Sequence, residues 1–344
     1  MPMTQVSDAL AGFPRATLVT AQTPVEHLAR LSGHLGIDLW IKRDDLTGLG
    51  MGGNKIRQLE YYLGAALAEQ ADVILITGAV QSNFVRSAAA AAAKCGLGAI
   101  LQLEERVPDM GPEYYRSGNV FLGNLLGAEH MRYDQGEDET GADNALRARA
   151  AQLIDDGRRP FVIPLGLDNK PLGALGYINA ASEIVGQAPE FDAIVVASGS
   201  GATHSGLLAG LRALGVQTPV NGICVRRDSD QQFARVNTLM GKIAALVPGL
   251  APVAQTDVLT WDGALAPGYG QVGRRTAEAM TMMARYEGLF LDPVYTAKTF
   301  AGVLDLLEEG KIRPGMRVLF VHTGGQPALF AYQAEIEASL ADGG

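Results

Sequence analysis

The sequence has 344 residues, of which 47% are hydrophobic and 19% are charged, and its formal net charge is −9. This composition is typical of a folded protein with a large apolar core and excludes an intrinsically disordered chain. The acidic balance argues against a protein that binds a nucleic-acid backbone, because such a protein needs a basic surface. Two cysteines cannot form a disulfide framework or a cysteine-based zinc site, and the five histidines lack metal spacing, so we expect no metal site.

The sequence also bears on location. Residues 1–20 lack the basic and apolar regions of a signal peptide. The most apolar stretch, residues 87–93, is far shorter than the roughly 20 residues that span a bilayer. We therefore expect a cytoplasmic protein without a membrane partner.

Short runs of aliphatic and β-branched residues recur along the chain, and each run ends in a glycine-rich or polar turn. These runs are residues 39–42, 72–77, 99–103, 161–164, 194–197, 220–225 and 317–322. Helical patterns follow several of them, and this alternation predicts a mostly parallel sheet with helices on both faces. The length suggests two domains or one large α/β unit. Between the third and fourth runs, the polar stretch 133–144 is predicted to be a solvated surface loop.

One lysine stands out by its surroundings. Lys55 follows two glycines and Asn54, a few residues after the charged run 42–45, and it opens a helical segment. The helix dipole favours anions at a helix start, so it does not explain a lysine there. Two interpretations stay open: a surface lysine beside a glycine turn, or an amine held near a bound anion or aldehyde with its pKa lowered by desolvation or cationic neighbours.

Ligands in parallel sheets bind at the carboxyl ends of the strands, so the polar turns that follow the predicted strands are candidate site segments. Residues 78–83 form either a helix N-cap or a hydroxyl and a carboxamide at the crevice. Residues 198–203 form either an ordinary turn or a cradle for a phosphate monoester at a helix N-terminus. His204 breaks the glycine pattern of a dinucleotide site, so a nicotinamide oxidoreductase is the weakest alternative. Residues 291–298 and 322–325 add a phenol and hydroxyls near strand ends.

The order of these motifs is more specific than any one of them. Lys-Arg-Asp-Asp, Gly-Gly-Asn-Lys, Gln-Ser-Asn, Ser-Gly-Ser, Asp-Pro-Val-Tyr-Thr and His-Thr-Gly-Gly follow one another along the chain. This succession resembles the family of D-cysteine desulfhydrase, L-cysteate sulfo-lyase and 1-aminocyclopropane-1-carboxylate deaminase, which belongs to the fold-type II pyridoxal-phosphate enzymes. The resemblance covers the chain from Phe13 to Tyr332.

The resemblance implies an α/β fold like that of tryptophan synthase β, with two three-layer αβα domains and mostly parallel twisted sheets. It implies a larger cofactor-binding domain of residues 1–55 and 166–344 and a smaller domain of residues 56–165. The cofactor, pyridoxal 5′-phosphate, would lie between the two domains, as is common for ligand sites at domain junctions. The chain would form a homodimer.

The same resemblance implies roles for residues of the quoted motifs. Lys55 would bond to the cofactor aldehyde, Asn83 would hydrogen-bond the cofactor's 3-oxygen, and Ser82 would carry the substrate's Cα proton or hold its carboxylate. The implied cofactor-binding residues are Asn54, Lys55, Asn83, Ser198, Gly199, Ser200, Gly201, Ala202, Thr203, Thr296 and Thr323. The implied catalytic residues are Lys55, Ser82, Tyr269 and Tyr295. The implied substrate-binding residues are Gln81, Ser82, Asn83, Phe84 and Leu167.

The implied activity is β-elimination from a small amino acid, either D-cysteine, giving pyruvate, sulfide and ammonia, or L-cysteate, giving pyruvate, sulfite and ammonia. Thr296 or Thr323 would contact the pyridine nitrogen. The deaminase branch has a glutamate at position 296, and a threonine hydroxyl leaves the ring a weaker electron sink, which favours elimination over cyclopropane opening. Phe84 and Leu167 depart from the family pattern at loops that shape the substrate pocket. A deaminase or racemase with the same cofactor, or a binder without turnover, therefore stays open, as do substrate chirality and leaving group.

Overall fold

The computed structural model describes residues 3–188 and 190–341, which form two β-sheets with helices packed on them. The strands are β1 (Val25–His27), β2 (Asp38–Arg43), β3 (Val73–Ala79), β4 (Gly98–Glu104), β5 (Glu129–Tyr133), β6 (Pro160–Ile163), β7 (Ala193–Ser198), β8 (Val220–Cys224), β9 (Leu259–Trp261) and β10 (Arg317–His322). The helices are α1 (Met3–Leu10), α2 (Ala29–Leu35), α3 (Asn54–Ala68), α4 (Asn83–Cys95), α5 (Gly118–Leu125), α6 (Glu139–Asp155), α7 (Leu172–Gln187), α8 (Ala202–Ala213), α9 (Ser229–Leu246), α10 (Arg274–Glu287), α11 (Thr296–Glu308), α12 (Ala328–Ala331) and α13 (Gln333–Ala341). None of the helices in the described ranges is both long and apolar enough to cross a membrane.

The larger sheet has the strand order β1-β2-β10-β7-β8-β9, and the smaller sheet has the order β5-β4-β3-β6. Every neighbouring pair runs parallel except β1 and β2. In the larger sheet Val318 of β10 pairs with both Leu39 and Ala193, and in the smaller sheet Ile74 of β3 pairs with Ala99 and Phe161. The predicted α/β fold with mostly parallel sheets is confirmed.

All seven strands predicted from apolar runs are present, and three short strands were not predicted. The three are β1, β5 and β9, and each lies at the edge of a sheet. Their side chains are partly or fully exposed, so their sequences carry no continuous apolar run. Edge strands of this kind are short and polar because a long apolar edge would pair with other chains.

Of the solvated surface loop predicted at residues 133–144, only residues 134–138 form a loop, and the prediction was wrong for residues 139–144. Helix α6 begins at Glu139, and the carboxylate of Asp138 caps it by accepting a hydrogen bond of 2.8 Å from the Gly141 amide. Ala142 and Asp143 are buried. Acidic residues and glycine are as typical of a helix N-terminus as of a loop, and polarity alone does not separate the two.

The four strands of the smaller sheet all lie within residues 56–165, the segment predicted to be the smaller domain. The six strands of the larger sheet lie before residue 56 or after residue 165. The domain boundaries themselves stay a prediction. Helix α3, which begins one residue before Lys55, packs on α7 and α4. At Gly176 of α7 a Cβ would lie 2.1 Å from the carbonyl oxygen of Arg57, so only glycine permits this close crossing.

A buried ion network fixes α3 against the larger sheet. The guanidinium of Arg57 donates to both carboxylate oxygens of Asp44, at 2.9 and 3.1 Å, and to both oxygens of Glu183, at 2.7 and 2.8 Å. Lys42 donates to Glu183 at 3.1 Å, and Tyr177 donates to Asp44. The side chains of Arg57 and Asp44 are only 2% and 0% exposed. The network therefore joins β2, its C-terminal turn, α3 and α7.

The electrostatics of this network are dominated by the pair of Arg57 and Asp44. Burial alone would raise the pKa of the Asp44 carboxyl, but the Arg57 guanidinium beside it holds that pKa below its usual value. Because the folded pKa is lowered, the pair's contribution to stability is present above the unfolded pKa of the carboxyl and is lost as the pH falls through the folded pKa. Removal of one partner alone would leave a buried charge without compensation.

We expect Arg57→Met to lower the free energy of unfolding by about 3–5 kcal/mol, because Asp44 would stay buried and unpaired. Urea unfolding of the cofactor-free chain measures this. Arg274→Met, which removes an exposed pair with Glu278, is the control and should cost far less. Adding Asp44→Asn to Arg57→Met should recover part of the lost stability. Equal losses in the Arg57 and Arg274 variants would contradict the role of the buried pair.

Candidate active site

Two adjoining cavities lie where the carboxyl ends of the two sheets face each other. The first cavity is lined by Lys55, Ser82, Phe84, Tyr269 and Tyr295, together with charged residues treated below. The second cavity is lined by Asn54, Lys55, Asn83, Thr203, Tyr295 and Thr323, together with the turn 199–201. The arrangement follows the rule that ligands bind at the carboxyl ends of parallel strands. Lys55 and Tyr295 line both cavities.

Lys55 is an amine in an unusually apolar setting. Burial lowers its pKa to about 8. Its Nζ lies 5.3 Å from the centroid of the Phe84 ring, and no ion pair with an acidic side chain is found for it among the described residues. Desolvation without a counter-ion disfavours the ammonium form. Lys55 is therefore a usable nucleophile near neutral pH, as the second of the two sequence-based interpretations required.

Hydrogen bonds to the turns that follow β2 and β10 hold the backbone just before Lys55. The Gly53 amide donates to the carbonyl of Asp44 at 3.1 Å, and the Asn54 amide donates to the carbonyl of Thr323 at 3.0 Å. Gly53 has a φ of 111°, a conformation that favours glycine. At Gly324 a Cβ would lie 2.7 Å from the Gly53 Cα, so the two glycine turns touch backbone to backbone.

The turn before α8 fits a phosphate group. Helix α8 begins at Ala202 and no side chain caps its N-terminus, while Thr203 in its first turn and the preceding turn 199–201 line the second cavity. The Thr203 hydroxyl oxygen accepts hydrogen bonds of 2.8 Å from both Asn54 and Gln58. With its lone pairs occupied, this hydroxyl keeps its proton for an anionic oxygen in the cavity.

Two predicted members of the phosphate turn do not line the cavity. The hydroxyl of Ser198 is fully buried, accepts a hydrogen bond of 2.8 Å from Gln232, and lies 3.1 Å from Nδ1 of His204. Burial lowers the pKa of His204 to about 4, so its ring is neutral at ordinary pH. Ala202 forms the first turn of α8 and is absent from the lining of both cavities. Ser198 therefore stabilises the turn through buried contacts with His204 and Gln232, outside the cavity.

The turn before α4 combines both interpretations given to it from sequence. Ser82 is the N-cap of α4, and its Oγ accepts a hydrogen bond of 3.3 Å from the Val85 amide. The same side chain lines the first cavity, and its hydroxyl proton remains free to donate there. The next residue, Asn83, lines the second cavity.

Two phenols form one wall of the first cavity. The hydroxyls of Tyr269 and Tyr295 are 2.8 Å apart and hydrogen-bonded. Burial raises the pKa of Tyr295 well above its ordinary value, so this phenol stays protonated. The pair can therefore donate one proton into the cavity.

Besides Ser198 and Ala202, three further predicted site residues lie outside both cavities. The side-chain amide of Gln81 donates to the carbonyls of Tyr114 and Ser117 at 2.6 and 3.0 Å, so it fastens the chain before α5. The Thr296 hydroxyl donates to the Asp292 carboxylate at 2.8 Å and accepts from the Asp292 amide at 2.7 Å, which turns it away from the second cavity. Of the two threonines considered for the pyridine nitrogen, Thr323 is the one that lines this cavity.

The third of these residues is Leu167. The leucine that lines the first cavity is Leu165, two residues earlier in the chain. The two leucines lie in one loop after β6, and a substrate-binding role for Leu167 stays a prediction. The Leu165 amide lies 3.4 Å from the Asp143 carboxylate, and the Gly166 amide lies 3.1 Å from it. This buried carboxylate at the start of α6 sets which part of the loop faces the cavity.

Charged residues that were not predicted from the sequence form one wall of the first cavity. Glu139 accepts hydrogen bonds of 2.7 Å from Arg226 and 3.0 Å from Arg235, and it also pairs with Arg227. Arg106 lines the same cavity and pairs with the buried Glu104. The Arg-Arg pair directly after β8 was a usable signal, because it stands at the carboxyl end of a predicted strand. Glu139 carried no such signal, since it starts a helix after an edge strand.

Comparison with known proteins gives the family. The family model described as "Pyridoxal-phosphate dependent enzyme" matches residues 16–324. Curated proteins named D-cysteine desulfhydrase, from Yersinia enterocolitica serotype O:8 / biotype 1B and from Salmonella typhi, are each 42% identical to this chain over 330 residues. The matched region covers 95% of this chain and 98% of each relative.

Solved structures agree with that family. A crystal structure of an "ACC deaminase homologue" is 38% identical, has a TM-score of 0.87, and is matched over 98% of this chain and 99% of its own. Threonine deaminase isoform 2 from Solanum lycopersicum is 16% identical with a TM-score of 0.67, over 98% of this chain and 88% of its own, and shares the fold alone. The free helix N-terminus, the Thr203 hydroxyl and the desolvated Lys55 fit the phosphate and the aldehyde of pyridoxal phosphate. The chain therefore belongs to the family of pyridoxal-phosphate dependent enzymes, and pyridoxal phosphate is its cofactor.

Proposed function

We propose that this chain is a carbon–sulfur lyase that removes the β-substituent of a small amino acid, with D-cysteine as the first candidate substrate. D-cysteine and water would give pyruvate, sulfide and ammonia. The observation that carries the proposal is the desolvated amine of Lys55 between a phosphate cradle and the hydroxyl of Ser82. The relatives named D-cysteine desulfhydrase, at 42% identity over nearly the whole chain, support the substrate.

The chain's own residues divide the chemistry. Bound pyridoxal phosphate supplies an electron sink for the charge that develops at the substrate Cα. Lys55 is the proposed base for the Cα proton, because burial lowers the pKa of its Nζ to about 8. Ser82 is the proposed holder of the substrate carboxylate, because it lines the first cavity and its Oγ accepts from the Val85 amide, which leaves the hydroxyl proton for another acceptor. Tyr295, kept neutral by burial, is the proposed donor to the leaving sulfur.

A specific observation favours L-cysteate as the second candidate substrate. Arg226, Arg227 and Arg235 share the single carboxylate of Glu139, and the exposed Glu137 partly offsets Arg226. The Nε of Arg226 is buried and has no hydrogen-bond partner among the described residues. An excess of guanidinium charge suits an anionic sulfonate on the β-carbon better than a neutral thiol.

Two other outcomes with the same cofactor stay open, a 1-aminocyclopropane-1-carboxylate deaminase and an amino-acid racemase. The residue proposed at the pyridine nitrogen is now Thr323, because Thr296 is bound to Asp292. A hydroxyl at that nitrogen, in place of an acid, still favours elimination over ring opening. Binding without turnover is the third alternative, and the retained Lys55, Ser82 and Tyr295 argue against it.

The homodimer and the cytoplasmic location belong to this proposal. The family resemblance supports the dimer. Phe121 and Leu125 on α5 are 54% and 72% exposed and offer apolar surface on the smaller sheet's side of the molecule. Light scattering on the purified chain measures its mass in solution.

We expect pyruvate from D-cysteine, L-cysteate or both when the purified enzyme is offered a panel that also holds L-cysteine, β-chloroalanine and 1-aminocyclopropane-1-carboxylate. Lys55→Ala should lose the visible absorbance of the bound cofactor and about 10²–10⁴-fold in rate. Lys94→Ala, an exposed lysine on α4, is the control and should change neither. If the protein stayed colourless after addition of pyridoxal phosphate, the proposal would be wrong. If 2-oxobutanoate formed from 1-aminocyclopropane-1-carboxylate and no other compound gave a product, the enzyme would be a deaminase.

The lowered pKa of Lys55 gives a pH prediction for the cofactor-free chain. Because burial disfavours the ammonium, the fraction of reactive neutral amine should increase with pH and reach half of its maximum at a pH of about 8. Reductive methylation at a series of pH values, read by mass spectrometry, measures this for each lysine. A profile of Lys55 that coincides with that of the exposed Lys94 would contradict the desolvated site.

Arg226→Gln separates the two candidate substrates. Glu139 would keep Arg227 and Arg235, so the fold should survive the change. If a sulfonate binds beside Arg226, KM for L-cysteate should rise at least tenfold, since one hydrogen bond to a charged group is worth about 1.5–3 kcal/mol. KM for D-cysteine should stay within about threefold, as should both values in the exposed control Arg132→Gln. Equal effects on the two substrates would remove the argument for L-cysteate.

A further inference from the structure

Arg86 is a buried cation that the proposed chemistry does not use. It lies on α4, one turn after Ser82 and Asn83, and it is 1% exposed. No ion pair with an acidic side chain is found for it among the described residues, and burial lowers its pKa to about 10. A buried guanidinium without a counter-ion is unfavourable, so its hydrogen bonds must offset that cost.

The first contact of Arg86 leads to the cofactor cavity. Its Nε donates to Oδ1 of Asn119 at 3.1 Å. This fixes the Asn119 amide, whose Nδ2 then donates to Oδ1 of Asn83 and to the carbonyl of Gln81, both at 2.9 Å. With its oxygen bound to Asn119, Asn83 has its amino group left for the second cavity, which it lines.

The second contact of Arg86 leads to the loop that carries Lys55. Its Nη1 donates to the carbonyl of Gly52 at 3.1 Å and to the carbonyl of Gly50. Gly52 has a φ of 67°, and a Cβ there would lie 2.0 Å from the carbonyl oxygen of Asp45, so this loop is tightly folded. Two residues later the loop enters α3 at Asn54. One guanidinium is thus linked to both sides of the second cavity, through Asn119 to Asn83 and through the glycine loop to Asn54.

We propose that Arg86 is a positioning residue that acts through Asn119 to turn the amino group of Asn83 toward the cofactor. The inference rests on the proposed function only in taking the second cavity as the cofactor's site. The opposite orientation of the Asn83 amide would present a carbonyl oxygen, which repels the anionic 3-oxygen of the cofactor. Arginine suits this position because its planar fork reaches Asn119 and the glycine carbonyls at once, whereas lysine has a single donor nitrogen.

The test uses the ultraviolet and visible spectrum of the cofactor-loaded protein, its pH titration and the dissociation constant of pyridoxal phosphate. In Arg86→Lys and in Asn119→Asp, we expect the midpoint of the spectral titration to rise and the dissociation constant to increase at least fivefold. Asp at position 119 can still accept from Arg86 but cannot donate to Asn83. The melting temperature of the cofactor-free protein reports any merely structural effect.

Two controls make the outcome specific. Arg212→Lys changes a buried arginine that pairs with Asp257, outside the two cavities, and should leave the spectrum unchanged. In an Asn83→Ala background, Arg86→Lys should cause no further spectral shift, because the group it orients is gone. A full shift in that background, or a lower melting temperature with an unchanged spectrum, would overturn the inference. A protein that binds the cofactor but turns over no amino acid would defeat the proposed function and leave this spectral test intact.

Discussion

The buried pair of Arg57 and Asp44 is the constraint on which the rest of the site depends. Residues two apart on a helix point to opposite sides, so an Arg57 anchored in the sheet network directs Lys55 toward the cavities. Asp44 directly follows β2, and its backbone carbonyl accepts a hydrogen bond from the Gly53 amide. The same residue therefore fixes both the face of α3 and the turn that begins it. Burial makes this arrangement rigid, because no rotated helix keeps both charges paired.

The molecule holds its cations in two different ways. Lys42 and Arg57 have carboxylate partners, and these ion pairs stabilise the packing of α3 and α7 on the larger sheet. Lys55 and Arg86 are without acidic partners among the described residues, and burial lowers the pKa of each. For a lysine the consequence is chemical, since its neutral amine becomes available near neutral pH. For an arginine the consequence is geometric, because a guanidinium stays charged: Nε and Nη1 of Arg86 bind fixed acceptors, and its Nη2 has no hydrogen-bond partner among the described residues.

The sequence predicted the features that depend on continuous apolar runs and on turns directly after them. The central strands β3, β7 and β10, and the turns at Lys55, Ser82 and Thr203, follow from those local patterns. The direction of single side chains was not predictable, because it depends on partners distant in sequence. Thr296 turns to Asp292, which a local motif could have suggested, but Ser198 turns to Gln232 on α9. Glu139 was missed for the same reason, since the arginines that define it lie almost 90 residues later.

The site thus has a floor and a wall of different origin, and they constrain function differently. The floor is formed by Lys55, Asn83 and Thr203, which are held by backbone contacts and buried hydrogen bonds. We therefore expect substitutions of these residues to weaken cofactor binding. The wall is formed by Glu139 from the smaller sheet's side and by Arg226 and Arg235 from the larger sheet's side. Arg226 and Arg235 also donate to the backbone carbonyls of Gly136 and Leu165, which lie in loops, so substitutions there alter charge and loop contacts but break no strand pairing. Similarity over the whole chain therefore supports the cofactor chemistry, whereas we propose that a few charged side chains at the wall decide the leaving group.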